Sequence, residues 1–142
     1  MNRLFVVTGL AALLAVSAVW VGRAQQGQAP SGARFTGTST SMDGKELTIA
    51  RRRFEAGART YWHSHPRGQL LMVEQGRMRT QKRGGRMQEL GQGGTDYTRP
   101  DVVHWHGAAP GQDLVQINAG FGGPPASWFE EVTADEYAGK KR

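Results

Sequence analysis

The chain has 142 residues, a formal net charge of +6 and no cysteine, with 20 glycines and 6 prolines. The lack of cysteine excludes disulfides, thiolate metal ligands, a cysteine nucleophile and a lipoprotein anchor. The length suffices for one domain with one core, and many glycines between short apolar runs indicate a turn-rich β protein rather than a helical bundle.

The N-terminal residues 1–24 have the pattern of an export signal. Arg3 precedes an almost wholly apolar run from Leu4 to Val21, and small residues occupy positions −3 and −1 of a cut after Ala24. The run is also close to membrane-spanning length. We therefore predict a cleaved signal peptide or a retained membrane anchor, and a domain that is exported to the periplasm or the cell exterior. Contact with a membrane is expected only through this segment.

The rest of the chain predicts a polar linker over residues 25–34, one folded domain over residues 35–138 and a disordered tail over residues 139–142. Period-two alternation and turn signals predict about eight or nine short strands. The strands are, in chain order, Phe35–Ser41, Leu47–Phe54, Tyr61–His65, Leu70–Glu74, Arg77–Lys82, Met87–Leu90, Val102–His106 and Leu114–Asn118.

Two local patterns refine this prediction. The continuous apolar run Leu70–Glu74 predicts a strand that is buried on both faces. The sequence from Thr133 to Glu136 has the capping-box pattern, so a short helix is expected from Ala134 to Ala138. The fold class predicted from these elements is all-β, a sandwich or barrel with a short C-terminal helix.

Basic residues are concentrated at Arg51-Arg52-Arg53 and between Arg77 and Arg86. They form either a solvated strand face and hairpin or a patch for nucleic acid or another anionic surface. Because no RNA- or DNA-binding motif accompanies the arginines, we exclude nucleic acid as the main partner.

The four histidines of the chain form two pairs with the same i, i+2 spacing, His63 with His65 and His104 with His106. On extended segments the two side chains of each pair point to the same side. Neutral imidazole is the commonest metal ligand in proteins, so the pairs predict a metal site where two strands meet inside a small barrel. His106 shares the face of His104 and is a further ligand, a partner of a ligand, or a general acid/base.

Two tryptophans, Trp62 and Trp105, stand directly beside these histidines in the sequence. They either pack in the barrel or line a pocket that accepts an aromatic substrate.

The histidine spacing resembles the two motifs of the cupin superfamily. The first motif is matched throughout by Gly57-x5-His63-x-His65-x3-Gln69-x6-Gly76, except that Gln69 replaces the usual glutamate. The second is matched by Gly93-x5-Arg99-x-Asp101-x2-His104, with Arg99 and Asp101 in place of proline and glycine. The resemblance implies a single-domain jelly-roll β-barrel with a metal inside.

The chain also resembles, more closely, the small single-domain manganese cupins of the bacterial hydroxynitrile lyase and carboxymuconolactone-decarboxylase-associated type. The segments that carry this similarity are Gly57-Ala-Arg-Thr60, Trp62-His-Ser-His-Pro66, His104-Trp-His-Gly-Ala-Ala-Pro110 and Trp128 to Thr133. The resemblance implies that the metal ligands are His63, His65, Gln69 and His104 and that His106 is the catalytic acid/base. Gln116 falls at a position of the substrate pocket that is histidine in the lyases. By resemblance, the protein is expected to form a dimer or tetramer.

Three imidazoles and an amide are all neutral, so a divalent ion among them keeps its full charge and polarises a bound hydroxyl or carbonyl strongly. An octahedral ion keeps two open positions, which favours substrate binding over a closed structural site. We expect manganese, with iron, zinc or nickel as alternatives.

The predicted function is an exported metal-dependent enzyme acting on a small oxygenated organic substrate, with hydroxynitrile-lyase-like C–C cleavage. The alternatives are a non-catalytic cupin that binds a small metabolite and an oxygen-using, dioxygenase-like metal cupin.

Overall fold

The structure, a computed structural model, describes residues 38–140. All its strands and its helix lie in a compact unit that begins at Ser41. Residues 1–37 lie outside the described residues, and with them the predicted signal or anchor and the predicted linker. Within residues 38–140, no helix is long and apolar enough to cross a membrane.

Nine strands and one helix make up this unit. They are β1 Thr48–Phe54, β2 His63–Ser64, β3 Gln69–Gly76, β4 Met78–Lys82, β5 Gln88–Leu90, β6 Thr95–Thr98, β7 His104–Ala108, β8 Leu114–Gly120, β9 Ser127–Trp128 and α1 Ala134–Tyr137.

The strands form two sheets, one of order β1-β8-β3-β6 and one of order β5-β4-β7-β2-β9, in which all pairs are antiparallel. The predicted all-β class, the jelly-roll type of architecture and the short C-terminal helix are confirmed. The helix carries the capping box that Thr133 and Glu136 predict.

The core consists of two apolar clusters. The first comprises Leu71, Val73, Met78, Ala108 and Leu114. The second comprises Trp62, Trp105 and Val132, against which Tyr137 of α1 packs. Because Trp105 lies between His104 and His106 along β7, its side chain points to the opposite face of the sheet from theirs. The C-terminal segment covers that face, so β7 is buried on both sides.

Strand β3 corrects one prediction. The prediction that Leu70–Glu74 is buried on both faces is wrong, because Leu70 and Met72 are 36% and 39% exposed. In the register of the sheet, Leu70 pairs with Ala119 on one side and Tyr97 on the other, and Ala119 pairs with Ile49. These side chains form an apolar row on the outer face of the sheet, so the apolar run is a one-sided strand with an apolar exposed face.

The remaining differences concern short or polar strands. Residues 38–41 of the predicted Phe35–Ser41 strand are not in a strand, and residues 35–37 lie outside the described residues. Strand β6 was not predicted because its inward residues, Asp96 and Thr98, are polar. Strand β9 was not predicted because two residues carry no periodicity.

Strand β7 depends on a glycine for its close approach to residues 58–59. A Cβ on Gly107 would lie 2.4 Å from the Ala58 carbonyl oxygen and 2.5 Å from the Arg59 Cα. We expect Gly107→Ala to lower the free energy of unfolding by about 1–3 kcal/mol, the usual cost of overpacking. Urea unfolding measures the change. Gly91→Ala is the matched control, because a Cβ there meets nothing within 4 Å. Equal stability of the two variants would contradict the close approach.

Candidate metal centre

The pairing of β2 with β7 brings histidines from the two motifs together. His63 is directly opposite His104 in the register, and their ring centroids are 4.3 Å apart. His106 follows two residues later on the same face of β7. One ring nitrogen of each of these three histidines lies within 4.8 Å of the others, so the group could hold a metal ion. All three side chains are buried.

Backbone carbonyls determine which ring nitrogen of His63 and His104 carries the proton. The Nδ1 atom of His63 lies 2.9 Å from the carbonyl oxygen of Tyr61, and that of His104 lies 3.1 Å from the carbonyl oxygen of Val102. A carbonyl oxygen only accepts hydrogen bonds, so each Nδ1 carries a proton and donates it. The Nε2 lone pair of both rings is therefore free for a metal, the tautomer that metal-binding histidines commonly show.

The electrostatics of the site keep these rings uncharged. Burial lowers the pKa of His63 to about 4 and the pKa of His104 to about 3. Each ring also repels positive charge on its neighbours, which acts in the same direction. The two histidines are neutral at pH 7, which is the form that binds metal ions.

Gln69 at the start of β3 completes this part of the site. Its Oε1 atom lies 3.1 Å from Nε2 of His104. With the proton of His104 on Nδ1, both of these atoms are acceptors, and a cation bound by both atoms satisfies them. The residues therefore fit a metal ion.

His65 lies just beyond the end of β2. Its ring centroid is 5.1 Å from that of His63 and 5.7 Å from that of His104. Its Nε2 atom is buried and has no hydrogen-bond partner among residues 38–140. Burial lowers the pKa of His65, so this ring is also neutral. An unpartnered lone pair or N–H at this place agrees with a role as a ligand.

His106 differs from the other two buried rings in its partner. Its Nδ1 atom accepts a hydrogen bond from Nε2 of Gln116 at 3.1 Å, and Nε2 of Gln116 also donates to Oδ1 of Asn118 at 2.6 Å. Burial lowers the pKa of His106 well below its usual value. The ring is therefore neutral, and it is not among the residues that line the pocket beside the site.

An open pocket of about 250 Å³ adjoins the site and includes His65 and Gln69 in its wall. The other lining residues are Thr48, Ala50, Asn118, Gly120, Gly122, Gly123, Pro124, Pro125 and Ala126. None of the described residues that line it carries a formal charge, so the pocket suits a small uncharged molecule.

Most residues of this wall are not predicted from the sequence. Asn118 could have been found, because it shares a face with Gln116 by period-two alternation. The Gly-Gly-Pro-Pro segment at 122–125 is a turn signal without a chemical signature.

Trp62 and Trp105 belong to the second core cluster and are not among the residues that line the pocket. The indole of Trp105 donates to Oε1 of Gln81 at 3.0 Å. A different tryptophan contacts a proposed ligand: Trp128 of β9 pairs with His63 and stacks on its ring with centroids 4.7 Å apart.

Comparison with known proteins places the chain in a family. A family model described as "Cupin domain" matches residues 50–117. An (R)-mandelonitrile lyase from Granulicella tundricola is 41% identical over 86 residues, which span 59% of this chain and 66% of that relative, just under two thirds of its length.

Solved structures agree. A cupin-like protein from Thermotoga maritima is 42% identical with a TM-score of 0.64, and the match covers 68% of this chain and 74% of that one. A protein with a double-stranded β-helix domain from Klebsiella pneumoniae shares the fold at 17% identity and a TM-score of 0.55, over 63% of this chain and 80% of that one. The chain belongs to the cupin family.

Proposed function

We propose that the protein is a metal-dependent cupin enzyme that acts on a small uncharged organic substrate, with a hydroxynitrile-lyase-like cleavage of a cyanohydrin as its reaction. The observation that carries this proposal is a group of buried, neutral imidazoles that could hold a metal ion, next to an uncharged pocket of about 250 Å³ whose wall includes His65 and Gln69. The 41% identity to a mandelonitrile lyase supports the choice of reaction.

The proposed ligands are His63, His65, Gln69 and His104, holding a divalent ion that we expect to be manganese, with iron, zinc or nickel as alternatives. When bound, such an ion supplies Lewis acidity toward a hydroxyl or carbonyl oxygen. The side chains add no negative charge to the ion, since three are neutral imidazoles and the fourth is an amide. A carboxylate at the position of Gln69 would reduce the Lewis acidity of the ion. The non-haem iron oxygenase pattern includes a carboxylate ligand, which Gln69 does not provide.

The chain's own residues then account for the protons. Cleavage of a cyanohydrin breaks the O–H bond and the C–C bond, forms a C=O bond and releases cyanide with the electron pair of the C–C bond. Cyanide takes up one proton, so the products are an aldehyde or ketone and hydrogen cyanide. We assign a hydrogen-bond donor role in this transfer to Nε2 of His106, which stabilises the departing cyanide while the hydroxyl proton passes to it. The uncharged wall of the pocket admits the neutral substrate.

Cyanide release from mandelonitrile by the manganese-loaded protein tests this proposal. We expect release by the wild type and a decrease of at least about 100-fold in kcat for His106→Ala, which removes the donor at Nε2. Metal content, measured on both proteins, should be equal.

Other outcomes would overturn the lyase assignment. A metal-loaded protein that releases no cyanide from mandelonitrile or from aliphatic cyanohydrins is not this enzyme. Iron-dependent oxygen consumption would instead favour the oxygen-using alternative. Thermal stabilisation by a metabolite without turnover would favour a binding protein.

A further inference from the structure

A row of three buried or half-buried polar side chains runs from β7 to β8. His106, Gln116 and Asn118 are joined by hydrogen bonds of 3.1 Å and 2.6 Å, and both bonds use the Nε2 atom of Gln116. His106 and Gln116 are 2% and 0% exposed, so water does not replace these partners. The row lies beside the proposed ligands without including any of them.

The hydrogen-bond donors and acceptors of the row determine the tautomer of His106. The amide nitrogen of Gln116 has two hydrogens, of which one is donated to Oδ1 of Asn118 and the other to Nδ1 of His106. Nδ1 of His106 is therefore an acceptor, and the single proton of the neutral ring is on Nε2. His63 and His104 have the opposite tautomer, because their Nδ1 atoms donate to backbone carbonyls.

The opposite orientation of the Gln116 amide is disfavoured, because it would bury N–H groups without a partner. The Oε1 atom of Gln116 is buried and has no partner in the described part of the chain. Turning the amide over would place an unpartnered NH2 group there instead, with two orphaned hydrogens, and would also require Asn118 to turn. Buried unpartnered carbonyl oxygens are tolerated more often than buried unpartnered N–H groups.

We infer that Gln116 is a positioning residue that holds His106 in the Nε2–H tautomer. This tautomer leaves no lone pair on Nε2 for a metal ion. His106 is therefore not a ligand, although one of its ring nitrogens lies within 4.8 Å of those of His63 and His104. It presents a hydrogen-bond donor, which suits an acceptor atom of the substrate, such as a carbonyl oxygen or the nitrogen of cyanide. The catalytic part of this inference rests on the proposed function, whereas the tautomer does not.

Ring ¹⁵N NMR of the full chain, loaded with diamagnetic Zn²⁺ and labelled at histidine, tests the inference. We expect His106 to show a protonated Nε2 and an unprotonated Nδ1, and His63 and His104 to show a protonated Nδ1. In Gln116→Glu the carboxylate can only accept, so the proton of His106 should move to Nδ1. In Asn118→Asp the carboxylate still accepts from Gln116, so His106 should keep the wild-type pattern.

The two variants are matched because each places one carboxylate in the same row. A general effect of charge or of loosened packing would change the His106 signals alike in both, and this result would overturn the inference. A protonated Nδ1 on His106 in the wild type would do the same. Unchanged signals of His63 and His104 report that each variant is folded. None of these readings depends on cyanide release, so failure of the proposed reaction and failure of the tautomer are distinguishable.

Discussion

Replacing His104 with alanine is expected to weaken metal binding by at least about 100-fold, because the substitution removes a proposed ligand, and changes to groups that only support ligands already cost 10–100-fold. His104 is fully buried, and its Nε2 atom lies 3.1 Å from Oε1 of Gln69. The variant therefore loses one donor directly and leaves the amide of Gln69 without its neighbour. Calorimetric titration with Mn²⁺ measures the affinity.

His106→Ala is the matched control for this experiment. It removes the same side chain from the same strand, two residues away and on the same face. Because Nδ1 of His106 is bonded to Gln116 and its proton is on Nε2, we expect this variant to retain metal affinity within a few-fold. Retained binding in His104→Ala, or lost binding in His106→Ala, would show that the ligands are assigned wrongly.

Lowering the pH is expected to destabilise the metal-free protein strongly between pH 7 and pH 5. Burial lowers the pKa of His63 to about 4 and that of His104 to about 3, whereas in the unfolded chain both rings take up protons near pH 6.5. The unfolded state binds more protons throughout this interval, so the free energy of unfolding falls as the pH falls. At about 1.4 kcal/mol per pH unit, each ring contributes a loss of about 2 kcal/mol by pH 5.

Urea unfolding in the presence of a chelator, at pH 7, 6 and 5, measures this loss. The slope of stability against pH is the informative quantity, and His104→Gln should reduce it because one titrating ring is gone. Carboxylates contribute little, since their ordinary pKa values lie near 4 and below this interval. A stability that does not change between pH 7 and pH 5 would mean that the two rings are not buried in the neutral form.

The sequence predicted which residues the structure brings together at the candidate site better than it predicted the strands around them. The spacing of His63, His65 and Gln69 indicated a metal site because paired imidazoles on extended chain must share a side, and the structure places these residues together with His104. The role of His106 stayed open because alternation puts it on the same face as His104. What distinguishes His106 from His104 is a hydrogen bond from Gln116, which lies ten residues away in the sequence and in the other sheet. No local pattern contains that contact.

The prediction of strands depended on the periodicity of apolar residues and failed where the buried residues are polar. Asp96 of β6 is buried because it accepts hydrogen bonds from Thr80 and Lys82, so a hydrophobicity pattern cannot find it. The reverse error occurred at Leu70 and Met72, which are apolar and exposed on the outer face. In both cases partners from other strands decide the burial, and the residue types alone do not.

The contact between β9 and His63 bears on where this domain ends. The family match stops at residue 117, yet the strand that pairs with the free side of β2 is Ser127–Trp128, and Val132 lies in the core with Trp62 and Trp105. Farther on, the Tyr137 hydroxyl donates to the carbonyl oxygen of Ala108 on β7 at 2.7 Å. A chain trimmed at the family boundary would keep every proposed ligand but lose the residues that hold two of their strands. The folded domain therefore extends through α1.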